Sequence, residues 1–367
     1  MAPEKKEHLS CIDALKGIGA CIVAFVWHYQ HFAPQEGSPF HALFALSYKF
    51  GWSMVDLFFL LSGVGLMLGY GSRVFNAEIS FKDFFLKRLK RLYPLFLITT
   101  ALVFVLEFIY RHKVGQTFVY PNFDINHAIQ NLLLVHYGIL GQEFSFNGPS
   151  WCIPICLVCY CLFYFMLSKA KSQQQIFPLF SLTAVLGTAL IASGLSLPLF
   201  NVAVGRGVAS FSIGVLLSFA YEKRTAFKSV KLGYCCLFFL LASYLVLRVK
   251  STDYSGHFTL AMTLGFGPMI LLSTLFIPWL NAFISNPVFR FLGKISWEIY
   301  LFHFPIQCLI EVIDHSLGLG LNYSSRILWL IYAALTIGVG AIYHWLIAKA
   351  ADAWILTFFQ SEKPRSC

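Results

Sequence analysis

The sequence predicts an all-α, polytopic membrane helix bundle with about ten transmembrane helices and both termini in the cytoplasm. Composition is the first reason, because 58% of the residues are hydrophobic and 12% are charged, with a mean hydropathy of +0.69, whereas about a quarter of a soluble domain is charged. The second reason is the presence of apolar stretches of about twenty residues, the length of a helix that spans a bilayer. The third is a one-sided distribution of Lys and Arg.

Ten apolar stretches mark the predicted spans along the chain. They cover residues 12–32, 50–70, 92–110, 150–168, 178–194, 201–220, 232–248, 259–279, 294–313 and 326–348. The first stretch lacks a small-residue cleavage site, so we expect it to stay in the protein. We predict one transmembrane domain over residues 1–348 and a short cytoplasmic tail over residues 349–367. On the second span, Gly65 and Gly69 are expected to permit close packing against another helix.

Lys and Arg orient the predicted bundle. With the N-terminus in the cytoplasm, nineteen of the 27 Lys and Arg residues fall on the cytoplasmic side and five on the other side. The remaining three, Lys16, Lys49 and Arg206, lie in or near the membrane. This bias favours cytoplasmic termini and accounts for most of the net charge of +10. Nucleic acid is not an expected partner, because no basic soluble domain is present to hold it.

The first span carries three ionisable side chains, Asp13, Lys16 and His28. Lys16 and His28 are twelve residues apart, which is about 18 Å along a helix. Ionisable groups are costly in lipid and usually face a cavity, a partner or a pathway, so these three are candidates for a site. In the alternative interpretation, Asp13 and Lys16 snorkel at one membrane surface while His28 reaches the other.

Two further charged residues within the predicted spans are candidates for the site. Asp56, near the start of the second span, comes to about the depth of His28 because neighbouring spans run in opposite directions. A carboxylate there would hold the imidazole in one tautomer and raise its basicity; alternatively, Asp56 hydrogen-bonds a neighbouring helix. Arg206 lies well inside the sixth span, where a site or an ion pair is favoured over snorkelling.

The ninth span and a basic run supply the other candidates. His303 lies near mid-depth and follows Ser296 and Tyr300 on the same helix, and a structural role for it is equally open. Lys and Arg are dense over residues 87–91. That run either attracts anionic lipid headgroups or forms a phosphate-binding patch suited to a nucleotide-bearing donor. No zinc-type spacing of Cys and His is present, so no metal site is predicted.

Four elements occur in order along the chain: Asp13, Lys16, Gly17 and His28; residues 55–63; the basic element 81–94 with Lys87, Arg88 and Arg91; and residues 292–296 followed by 300–305. Together and in this order they resemble the acyltransferase 3 family of integral membrane acyltransferases. Lys16 stands where Arg is commoner in the family, and its spacing to His28 is one residue longer than the usual eleven. Trp151 of a further family element is present, but Cys156 stands where the family often has Glu, so the role of that acid is not carried over.

The resemblance implies transfer of an acyl group, most often acetyl from acetyl-CoA, to a hydroxyl of a carbohydrate or lipid-linked sugar. It also implies a cell membrane, which we expect to be the bacterial cytoplasmic membrane, with membrane lipids around the bundle. Another acyl-CoA is an open alternative as donor, and no permanently bound cofactor is expected.

In the mechanism that this implies, four basic side chains hold the phosphates of CoA in the cytoplasm: Lys16, Lys87, Arg88 and Arg91. The pantetheine arm then reaches towards His28, which deprotonates the acceptor or carries the acyl group transiently, and Asp56 orients the imidazole. The alternative function is a secondary transporter or lipid-linked-glycan exporter, whose proton or substrate sites would be Asp56, Arg206, Glu298 and His303.

Overall fold

The computed structural model describes residues 3–222, 230–249 and 255–347, and within them it contains α-helices but no strands. The predicted tail, 349–367, and the Lys and Arg residues of segments 223–229 and 250–254 lie outside the described residues. The helices are α1 (Pro3–Cys21), α2 (His41–Phe50), α3 (Met54–Phe75), α4 (Phe81–Val114), α5 (Ile125–Leu132), α6 (Cys152–Lys169), α7 (Gln173–Ser193), α8 (Val202–Glu222), α9 (Val230–Val249), α10 (Ser255–Ala261), α11 (Gly267–Phe276), α12 (Pro278–Ile284), α13 (Pro287–Lys294), α14 (Ser296–Leu317) and α15 (Arg326–Ile342).

Nine helical segments in the described part of the chain are long and apolar enough to cross a membrane. They are Ser10–His31, His41–Phe75, Phe81–Val114, Gly148–Lys169, Gln173–Ser193, Val202–Tyr221, Val230–Leu247, His257–Phe276 and Arg326–Leu346. They coincide with nine of the ten predicted spans, so the prediction of an all-α membrane bundle is confirmed.

The tenth predicted span coincides with α14. Its 22 residues are long enough to cross a membrane, but Glu298, Glu311 and Asp314 make it less apolar than the other nine. All three carboxylates are buried. Ionisable residues in membrane helices are tolerated where they face protein instead of lipid, and α14 is accordingly an internal helix that supplies residues to the centre of the bundle.

Glycines permit two close helix crossings in the core. A Cβ on Gly17 of α1 would overlap the backbone of Gly293 in α13, and a Cβ on Gly63 of α3 would overlap the carbonyl of Phe211 in α8. Both contacts therefore require backbone to approach backbone. The first crossing brings two separate motifs of the sequence together.

Gly65 and Gly69 do not form such a crossing. A Cβ built on either residue would meet no atom within 4 Å. The expectation that they permit close packing is therefore wrong, because both sit on a side of α3 that no other helix covers closely.

Candidate active site

A turn of π-helix, Ile22–Trp27, joins α1 to His28. The wider i→i+5 pattern changes which carbonyls are bonded within the helix, and α15 supplies outside donors. The Tyr332 hydroxyl donates to the Ala24 carbonyl at 2.9 Å, and the Trp329 indole donates to the Phe25 carbonyl at 2.6 Å. A π turn also takes up one more residue than an α turn, which agrees with the long spacing before His28.

His28 is hydrogen-bonded to His303 of α14. The His28 Nδ1 lies 2.8 Å from the His303 Nε2, and the two rings are nearly parallel, at 6°. The His303 Nδ1 lies 2.7 Å from the backbone carbonyl oxygen of Tyr300. Because a carbonyl can only accept, neutral His303 carries its proton on Nδ1 and accepts at Nε2. His28 therefore donates from Nδ1, which leaves the lone pair of its Nε2 free.

Asp56 is paired with Arg206 rather than with His28. The guanidinium donates to both carboxylate oxygens, from Nε at 2.8 Å and from Nη2 at 3.1 Å. The Asp56 side chain is 1% exposed and that of Arg206 13%. The predicted role of Asp56 in orienting His28 is therefore wrong, because a buried cation occupies both of its oxygens and His303 occupies the Nδ1 of His28.

Two indole rings flank this ion pair. The Arg206 Cζ lies 4.8 Å from the ring centroid of Trp52 and 5.0 Å from that of Trp151. A guanidinium over an aromatic face gains cation–π attraction, which is larger where water is excluded. Trp151, a site candidate from the sequence, thus contacts the charged group directly.

His31 and Gln307 belong to the same network, although neither was predicted. The His31 Nδ1 lies 2.9 Å from the Gln307 Oε1, and the Gln307 Nε2 donates to the His28 backbone carbonyl at 2.7 Å. Each lies one helical turn after a predicted histidine, His31 after His28 and Gln307 after His303. Residues three or four apart share a helix face, and that spacing is the signal by which both could have been found.

His28, His31 and Arg206 line a cavity of about 340 Å³, which we call the histidine cavity. The rest of its wall consists of Val23, Trp27, Gln30, Trp52, Val55, Tyr120, Tyr137, Phe144, Gly148, Pro149 and Trp151. Tyr120 and Tyr137 come from the segment between α4 and α6. Burial raises the pKa of both phenols, so they stay protonated and uncharged at neutral pH.

Lys16, Arg88 and Arg91 line a second cavity, of about 400 Å³, which we call the basic cavity. The Lys16 Nζ lies 3.3 Å from the Asp13 Oδ1, and Asp13 belongs to the same wall. The Arg88 Cζ lies 4.4 Å from the ring centroid of Tyr70, and the Arg88 Nε is buried without a hydrogen-bond partner. The element with Asp13 and Lys16 and the element with Arg88 and Arg91, which are far apart in the chain, thus meet at the wall of one cavity.

Residues from several helices complete the wall of the basic cavity, but Lys87 is not among them. Ser296, Tyr300, Cys156 and Gly65 line it, together with Val55, Phe58, Phe59, Ser62, Leu66, Tyr70, Leu92, Cys152, Tyr160 and Trp297. Lys87 is exposed and is not part of this wall. Of the four basic residues predicted to bind phosphate together, the structure therefore brings three to the cavity.

The two cavities approach each other at Val55, which lines both. Trp151 lines the histidine cavity, and the next residue, Cys152, lines the basic cavity. Tyr300 lines the basic cavity, while its carbonyl accepts the hydrogen bond from His303. One helical turn thus links the wall of the basic cavity to the residue that orients His28.

A family model for the acyltransferase domain matches residues 9–345. The chain belongs to the acyltransferase 3 family. The protein named "Putative acetyltransferase ORF330" of Acidianus two-tailed virus is 23% identical over 291 residues, which cover 75% of this chain and 79% of that protein. "Protein 2 in picA locus" of Rhizobium radiobacter is 32% identical over 104 residues, 28% of this chain and 48% of that protein. No solved structure matches the chain significantly.

Membership of the acyltransferase 3 family makes the chain a multi-pass membrane acyltransferase and confirms the resemblance predicted from the four motifs. The residues on which the alternative function, a transporter or exporter, rested have partners within the bundle. Asp56 pairs with Arg206, Glu298 with His344, and His303 with His28, and family membership favours acyl transfer over transport.

Proposed function

We propose that the chain is an O-acetyltransferase that moves an acetyl group from cytoplasmic acetyl-CoA to a hydroxyl of a cell-surface or lipid-linked carbohydrate. One observation carries the proposal: a cavity with three basic side chains and a cavity with a free imidazole nitrogen approach each other at Val55. The name of the viral relative, an acetyltransferase, supports acetyl as the acyl group.

The basic cavity is the proposed site of the donor, which is a substrate rather than a resident cofactor. Lys16, Arg88 and Arg91 bind its phosphates, because Arg and Lys donate charge-assisted hydrogen bonds to phosphate oxygens. Arg88 brings its guanidinium to the wall of this cavity beside the Tyr70 ring. The open space at Gly65 leaves room for the pantetheine arm. The distribution of Lys and Arg along the sequence favours the cytoplasmic side for this cavity.

His28 is the proposed general base. Its Nε2 takes the proton of the acceptor hydroxyl while the hydroxyl oxygen attacks the carbonyl carbon of the thioester. The new C–O bond forms, the C–S bond breaks when the tetrahedral intermediate collapses, and the imidazolium returns the proton to the departing thiolate. The products are an acetyl ester and the free thiol of CoA.

His303 and Arg206 assist this step in different ways. His303 accepts from the His28 Nδ1, which fixes the tautomer and places the lone pair on Nε2. The Nε and Nη2 of Arg206 donate hydrogen bonds to Asp56. Among the described residues, no hydrogen bond of its Nη1 is found. That group is available to the oxyanion that develops on the carbonyl oxygen.

The test is turnover of radiolabelled acetyl-CoA by the purified full chain in detergent. We expect His28→Ala to abolish turnover, and Arg88→Ala/Arg91→Ala to raise the KM for acetyl-CoA. Lys87→Ala is the matched control, because Lys87 belongs to the same basic run but not to the cavity wall. Retained turnover in a correctly folded His28→Ala variant would contradict the assignment of the base. An equal effect of Lys87→Ala would indicate general charge attraction in place of a built phosphate site.

A further inference from the structure

We propose that the acceptor is an uncharged compound with two neighbouring hydroxyls, and that His31 holds the hydroxyl next to the one that His28 deprotonates. The inference rests on the proposed function and narrows its substrate class. It assigns the acetyl group to a ring hydroxyl with a free neighbour rather than to an isolated primary hydroxyl.

The tautomer of His31 follows from its partners. The Gln307 amide nitrogen is fixed by the backbone carbonyl of His28, which can only accept. The other end of that amide, the acceptor oxygen, therefore faces His31. The His31 Nδ1 must donate to this oxygen, and neutral His31 keeps a lone pair on Nε2.

Two such lone pairs serve one cavity. The rings of His28 and His31 have centroids 4.9 Å apart and are inclined by only 24°, and both rings line the histidine cavity. No protein group is hydrogen-bonded to either Nε2 among the described residues. Adjacent hydroxyls on one ring can reach acceptor nitrogens on two imidazoles whose centroids are this close, because each hydrogen bond adds about 2.8 Å.

The position of His31 is built rather than incidental. Three aromatic rings contact its imidazole edge-to-face, Phe304 at 5.6 Å, Tyr120 at 5.9 Å and Phe118 at 6.3 Å between centroids. Together with the bond to Gln307, these rings restrict the imidazole to one orientation. The Nε2 of His31 is a second hydrogen-bond acceptor, and because the ring is held in place it is suited to recognition of a hydroxyl.

Charge balance indicates that the acceptor is neutral. The one permanent cation in the wall of the histidine cavity, as described, is Arg206, and both oxygens of Asp56 already compensate it. The imidazoles offer lone pairs, which repel a carboxylate or a phosphate but accept from hydroxyls. An anionic acceptor would therefore be desolvated in this cavity without a full counter-charge, because the proposed mechanism uses the remaining Nη1 donor of Arg206 for the oxyanion.

Competing small acceptors test this inference with the full chain in detergent and radiolabelled acetyl-CoA. The acceptors are cis-1,2-cyclohexanediol, cyclohexanol and glyceric acid. We expect kcat/KM for the diol to exceed that for cyclohexanol about tenfold, the value of one additional hydrogen bond, and we expect the acid to be the poorest acceptor. In His31→Ala the ratio of diol to cyclohexanol, counted per hydroxyl, should fall to about one, whereas His31→Gln, which retains an acceptor oxygen, should keep part of the preference.

The ratio is measured within each variant, so it does not depend on how much of the protein is folded. A wild-type ratio near one, an unchanged ratio in His31→Ala, or preferred use of glyceric acid would each overturn the inference while leaving acetyl transfer established. Absence of transfer to every acceptor by correctly folded wild type would overturn the proposed function and this inference together.

Discussion

Asp56→Asn removes the counter-charge of Arg206 while preserving side-chain shape. The two groups share two hydrogen bonds, of 2.8 and 3.1 Å, and expose only 1% and 13% of their side chains. Breaking a buried pair by removing one partner costs about 3–5 kcal/mol. Because Arg206 keeps some solvent contact and two indole faces, we expect the lower end, a loss of about 3 kcal/mol in the free energy of unfolding.

The complementary variants separate this charge effect from general disruption. Arg206→Gln should cost about 3 kcal/mol as well, because it leaves the carboxylate buried and unpaired. In the double variant Asp56→Asn/Arg206→Gln neither charge remains, so its loss should be smaller than the sum of the single losses by about 2 kcal/mol, within the range for residues in contact. Asp13→Asn is the control, because Asp13 is 52% exposed and its pair with Lys16 should contribute less than about 1 kcal/mol.

The assay is equilibrium unfolding by sodium dodecyl sulfate in mixed micelles, followed by tryptophan fluorescence. Trp52 and Trp151, two of the eight tryptophans, flank the guanidinium, so part of the signal comes from the surroundings of the pair. Additive losses in the double variant would refute the reasoning, as would an Asp56→Asn variant no less stable than Asp13→Asn.

Three other predictions concern the proposed catalytic path. His303→Ala should lower kcat about 10²–10⁴-fold because His28 loses its fixed tautomer. His303→Gln retains a hydrogen-bond acceptor and should recover part of the rate. A pH–rate series in which His303→Ala is as fast as the wild type would contradict this. Gly65→Leu should raise the KM for acetyl-CoA by filling the basic cavity, while Gly69→Leu, also in open space but outside that wall, should not; equal KM values would place the donor elsewhere. Val55→Phe should lower kcat with the Kd of acetyl-CoA unchanged, measured by single turnover and equilibrium binding; a raised Kd with normal kcat would show that Val55 contacts only the bound donor.

The sequence predicted the spans and the motif order well because both depend on local properties. The length of an apolar stretch follows from the thickness of the bilayer, so nine spans could be placed from hydropathy alone. The α14 helix was also placed, although its carboxylates make it less apolar than the rest. Gly17 and Gly293 lie in two different family elements, and the structure explains both by one backbone contact.

The partner of His28 could not be predicted in the same way. Depth in the membrane follows from counting residues, and depth alone pairs His28 with Asp56. The direction in which a side chain points changes by about 100° per residue around a helix, and the π turn before His28 shifts that direction by a step that no residue count reveals. The sequence identifies His303 and Arg206 as individual candidates. Pairing them with His28 and Asp56 depends on how each of four helices is rotated about its own axis, and the sequence does not give that rotation.

The approach of the two cavities at Val55 also has an electrical consequence. In the proposed mechanism the acetyl group passes from the cavity that binds the nucleotide to the cavity that holds the acceptor, across the part of the protein at this valine. An acetyl group is neutral and does no electrical work in crossing it. Moving the nucleotide instead would cost about 2.3 kcal/mol for each charge per 100 mV. The proposed reaction can therefore proceed at the same driving force in a resting and in a fully energised membrane.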